Sequence, residues 1–124
     1  MPVRIRWSFE AVVPDGPTVS LARTVRVDAV DRIVKAVDAG ETVAAEVQPS
    51  AADDVRLLVI TADAYGADLT YRVGTSTQDI ALDAPQIFAG AGMIGRLPSD
   101  PRRLTFTNGL GDPVTLTVLV GRIA

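Results

Sequence analysis

Cysteine and histidine are both missing from this 124-residue sequence. The first absence excludes disulfide frameworks, thiol nucleophiles and every Cys-based zinc site. The second removes the commonest general base, the commonest transition-metal ligand and the usual pH switch, and with them any Ser-His triad. Aromatic residues are few, at one Trp, two Tyr and three Phe, too few for a broad sugar-stacking platform. A basic excess is missing too: the net charge is −3 and the pI near 4.8, against the basic surface that a nucleic-acid binder carries. The longest apolar run is Leu57 to Ile60, far short of the roughly 20 residues a helical membrane span requires. Arg4 and Arg6 near the amino terminus are not followed by the apolar stretch of a signal peptide, so no secretory export is expected. Neither a nucleic-acid partner nor a membrane is therefore expected, and no residue is nominated as catalytic, cofactor-binding or metal-ligating.

What the chain does contain is alternation and punctuation. Its length predicts one domain, residues 1–124, able to bury about two thirds of its unfolded surface without a metal or a cross-link. Val3, Ile5, Trp7, Phe9 and Ala11 alternate with Arg4, Arg6, Ser8 and Glu10, the period of a strand with one buried and one wet face. Pro14-Asp15-Gly16-Pro17 then forces a turn, after which Val19, Leu21, Val25 and Val27 resume the alternation, with Arg23 as an exception that predicts a bulge or break. Residues 29–38 fit two templates. Val30, Ile33, Val34 and Val37 would line one face of a short helix with Asp28 as its N-cap, while their β-branching favours a strand. Pro49 with Ser50 to Asp54 reads as a loop, and Val55 to Thr61 as a central strand. Tyr65-Gly66 reads as a turn with the tyrosine at its tip. Leu104 to Thr107 and Val114 to Val120 read as a hairpin joined across Asn108 to Pro113. With twelve Asp against three Glu, the acidic residues belong with turns. The sum is an all-β fold, an antiparallel β-sandwich or jelly roll of about eight to ten short strands. Its expected core is Ile5, Trp7, Phe9, Leu57, Val59, Leu69, Tyr71, Leu104, Phe106, Leu116 and Val118.

Gly90-Ala91-Gly92-Met93-Ile94-Gly95 matches the G-x-G-x-x-G of a dinucleotide-binding turn, but its context rejects that chemistry. Those glycines work at the start of a helix inside a βαβ unit, and here Pro98 and Pro101 close off any helix of useful length. The same segment is apolar and uncharged. It either tucks over the end of the sandwich or contacts a neighbouring chain, which makes Ile87, Phe88, Met93, Ile94, Arg96 and Leu97 a candidate interface. Asp53, Asp54, Asp63, Asp68, Asp79 and Asp83 could gather at loop ends as calcium ligands, although none lies in an EF-hand loop and capped turns account for them equally.

Leu57-Leu58-Val59-Ile60-Thr61, Asp68-Leu69-Thr70-Tyr71, Leu104-Thr105-Phe106-Thr107-Asn108 and the ending Val118-Leu119-Val120-Gly121-Arg122 together resemble small all-β structural proteins of tailed-phage or phage-like particles. The resemblance runs from about residue 55 to 122 and carries no site residues. It implies a non-enzymatic structural or assembly protein, such as a decoration, shell or tail accessory, with no cofactor. Its partners would be further copies of itself or another structural protein of the same particle. The expected location is the virion or particle, or the cytoplasm if the chain is not phage-derived. A carbohydrate- or calcium-binding β-sandwich is the alternative.

Overall fold

Pro14-Asp15-Gly16-Pro17 reverses the chain as its composition requires. Asp15 adopts φ 57°, and the Gly16 N–H donates to the Val13 carbonyl at 3.0 Å. In the computed structural model, which describes residues 2–47 and 54–123, the flanking strands β1 (Val3–Val12) and β2 (Thr18–Val27) pair antiparallel from Val3↔Val27 to Val12↔Thr18. The register runs unbroken through Arg23, which sits opposite Trp7. The expected bulge is absent because Arg23 keeps the alternation, with a guanidinium where an apolar side chain would stand.

The remaining described strands are β3 (Ala29–Val37), β4 (Thr42–Glu46), β5 (Val55–Ala62), β6 (Leu69–Val73), β7 (Ile80–Ala81), β8 (Gln86–Ala89), β9 (Arg103–Asn108) and β10 (Val114–Arg122). Residues 29–38 are thus a strand, not a helix: β-branching prevails, and Asp28, instead of capping a helix, donates its backbone N–H to the Arg122 carbonyl. These eight strands pair as nested partners, β3 with β10, β4 with β9, β5 with β8 and β6 with β7, all antiparallel. Two further pairings, β10 with β5 and β9 with β6, wrap that double ribbon into two four-stranded sheets ordered β3-β10-β5-β8 and β4-β9-β6-β7. This is the strand order of a jelly roll. It also corrects the expected final hairpin, since β9 and β10 lie in different sheets and their five-residue connection crosses between layers.

Leu58, Ile60, Leu116, Val118 and Val120 of one sheet face Leu69, Tyr71, Val73, Leu104 and Phe106 of the other, and all are buried. Tyr71 and Phe106 stack obliquely with ring centroids 5.6 Å apart. The Tyr71 hydroxyl donates to Gln86 Oε1 at 2.5 Å, and burial pushes the phenol pKa up to about 12. Tyr65, expected at a loop tip, is half-buried against this core, and its hydroxyl accepts the Ala62 N–H at 3.0 Å.

Asn108 is the one buried polar residue among those described. Its Nδ2 donates to the carbonyls of Val37 (3.0 Å) and Asp112 (2.9 Å), and its Oδ1 accepts the Leu110 N–H at 2.9 Å. Its backbone also bonds to Gly40 and Glu41. One side chain thereby fixes the corner between β3 and β4 and the crossing from β9 to β10.

Candidate interaction surface

The two sheets differ on their outer faces. The outside of β4-β9-β6-β7 carries Thr42, Thr70, Arg72, Thr105 and Thr107. Arg72 Nε donates to Asp79 Oδ1 at 2.7 Å, which holds that carboxyl below the usual carboxylate range. Such a surface is the solvated side ordinary for an antiparallel sheet. The outside of β3-β10-β5-β8 carries two largely apolar rows, followed by Val34, Thr117 and Thr61. Register places Val30, Gly121, Leu57 and Ala89 in one row across the four strands, and Arg32, Leu119, Val59 and Ile87 in the next.

The β1–β2 ribbon lies over the first of these rows. Directly opposed residues share a face, so Val3, Ile5, Trp7, Phe9 and Ala11 combine with Val27, Val25, Leu21 and Val19 into one apolar surface broken only by Arg23. At its base this surface meets the sheet closely. A Cβ placed on Gly121 would lie 2.8 Å from Ile5 Cδ1 and 3.2 Å from Val27 Cγ1. Glycine is therefore what lets the ribbon descend onto β10. Val27 and Leu57 are buried by this contact, apart from the main core. Farther out, Trp7, Leu21, Arg23, Arg56, Leu57, Ala89 and Gly90 line an open groove of about 430 Å³.

Beyond that groove the same apolar face continues without cover. Phe9 is 48% exposed, Leu21 41% and Val19 55%; Val12, opposite Thr18, is exposed on the ribbon's other face. The expectation that Ile5, Trp7 and Phe9 belong to the core is therefore corrected. Ile5 and Trp7 are half-buried under the ribbon's base, and Phe9 lies on a projecting arm. Val59 is likewise only half-buried, on the outer row. A core strand and an arm that packs on a second surface carry the same period-two pattern, so alternation alone does not separate them.

The residues nominated from the glycine-rich segment are dispersed. Ile87 is 45% exposed on the outer face of β8, and Phe88 points to the opposite side, against the core. Gly90 takes φ 90°, and residues Ala91–Ile94 form a single helical turn, α1. That turn buries Ile94 and leaves Met93 exposed; Arg96 is exposed and Leu97 packs on the core. Ile87 alone of the six shares the outer sheet face on which the arm lies.

Asp63 Oδ1 accepts the Thr115 N–H at 2.9 Å, and Asp79 is engaged by Arg72. Asp53 lies outside the described residues, as do positions 49 to 52 of the expected loop. Among the described residues no three acidic groups stand close enough together to hold a metal ion, and no helix is long and apolar enough to cross a membrane. No protein-family model matches this chain, nor does any curated protein or solved structure.

Proposed function

We propose that this protein is a non-enzymatic structural subunit, assembling into an oligomer or particle of the virion kind through its β1–β2 arm. The observation that carries the reading is the arm's uncovered apolar half. A two-stranded ribbon is marginal in water by itself. This one spends ten residues per strand, a reach of roughly 33 Å, and rests only its base on its own body. Phe9, Leu21 and Val19 then stand in solvent where a second surface would bury them. The eight-stranded wrap is an architecture of many viral capsid domains, and the particle reading draws on that analogy of fold.

The test is size-exclusion chromatography with light scattering on the intact chain and on the double variant Phe9→Asp, Leu21→Asp. The intact chain is expected to run as an oligomer. The variant is expected to run as a monomer with unchanged far-UV circular dichroism, since both side chains lie outside the core. A strictly monomeric intact chain at high micromolar concentration would overturn the proposal.

A further inference from the structure

We infer that the distal half of the arm docks on the outer row Leu119, Val59 and Ile87 of a second copy's β3-β10-β5-β8 sheet, beside that copy's own arm. This inference rests on the assembly reading above and specifies its receiving surface. The packing mode is already present within one chain. At its base the arm sets Ile5 and Val27 on the first outer row, and that row is apolar where the arm covers it. The second row repeats the chemistry and is more open: Ile87 is 45% exposed, and Val59 and Leu119 are half-buried rather than buried as Leu57 is. One sequence thus carries an uncovered apolar ribbon half and a more open apolar sheet row.

Lengths agree as well. Phe9 to Val13 spans about 13 Å at 3.3 Å per step, and Arg32 to Ile87 crosses four strands, about 14 Å at 4.8 Å per spacing. Charge adds direction. By register Arg4, Arg6, Arg26 and Glu10 lie on the arm's polar face, Arg23 lies on the apolar face of its base, and Asp15 in the turn is the charge at its tip. The receiving row ends in the exposed Arg32 and lies beside the arginine-bearing base of the partner's arm. Asp15 at the docked tip is attracted to that basic ground, whereas two tips set against each other would oppose like charges.

Because the chain has no cysteine, single thiols can be placed without background. Ala11→Cys puts one on the arm's apolar face and leaves Phe9 and Leu21 intact; Ile87→Cys puts one on the receiving row. The two variants, one bearing a mass tag, are mixed and oxidised. The expected product is the mixed disulfide dimer, with each variant alone giving at least several-fold less cross-linking. Dimers of the Ala11→Cys variant alone, with none gained on mixing, would indicate tip-to-tip contact and overturn this inference while the assembly reading stands. No cross-link in any mixture, although the intact chain is oligomeric, would overturn it in the same way. A monomeric intact chain would remove both.

Discussion

Replacing Asn108 tests the reasoning about how the body of the fold is held. In the native protein its carboxamide makes three hydrogen bonds at 2.9–3.0 Å, giving two to carbonyls and taking one from a backbone N–H. Asn108→Ala removes all three from a fully buried position. A buried group left without its partner costs about 1–3 kcal/mol. Leu110 and Asp112 lie near the surface, where water recovers part of that, so about 3–4 kcal/mol is expected. A domain of this size has about 5–15 kcal/mol in total, so the variant should fold but melt far earlier. Asn108→Asp is the sharper variant, because it is isosteric. At neutral pH it keeps the acceptor for Leu110 but turns a negative oxygen toward the Val37 and Asp112 carbonyls. Burial and those two carbonyls raise the new carboxyl's pKa in the folded state above its unfolded value near 4. The folded state then binds the proton more tightly, so this variant should be most stable at low pH and lose stability as pH rises past about 4. Guanidinium unfolding followed by far-UV circular dichroism at pH 4 and pH 7 measures both effects. A loss under about 1 kcal/mol for Asn108→Ala, or an Asn108→Asp variant no worse at pH 7 than at pH 4, would refute the assignment of Asn108 as the pin between layers.

Two further outcomes follow from the geometry. Gly121→Val sets side-chain atoms against Ile5 and Val27, where even a Cβ lies within 2.8 and 3.2 Å. It should lift the arm at a cost of about 1–3 kcal/mol and shift Trp7 emission to the red; unchanged emission would show that the arm's seat does not depend on that glycine. Tyr71 has a folded pKa raised to about 12 against about 10 unfolded, so the native protein should lose stability as pH rises from 10 toward 12. In Tyr71→Phe that part of the alkaline loss should vanish, with a general cost of about 1–2 kcal/mol for the hydrogen bond to Gln86. Equal alkaline slopes in the two proteins, measured by denaturant titration, would contradict this.

The body of the fold was largely legible in the sequence. Alternation and turn residues located the strands, and the inward residues Leu69, Tyr71, Leu104, Phe106, Leu116 and Val118 are all buried, whereas Leu57 is buried on the outer face under the arm. Which strand joins which was not legible. Asn108 to Pro113 has the composition of a hairpin loop, and only the anchoring of Asn108 across the layers sends the chain into the other sheet. The exposure of the arm was not legible for a related reason. Local pattern records that a face is apolar but not what lies against it, so Phe9 read as core. A signal was present in the ten-residue ribbon with its four arginines, since an apolar face flanked by that much charge has an unusual balance for a strand meant to be enclosed.

The nested pairing of the body has a kinetic meaning. Val37 must find Val114, and Ala29 must find Arg122, before either outer sheet row exists, and such distant closures place folding toward the millisecond-to-second range. The arm needs only its own turn, and hairpins close in about 1–10 μs. During synthesis it therefore emerges first and flickers into register while the surface that will seat its base is still unmade. In that interval Ile5, Val25 and Val27 have not yet met the surface that covers them. The arginines beside them and the Pro-Asp-Gly-Pro tip then act as gatekeepers, opposing edge-to-edge capture by other nascent chains until the body is ready to receive it.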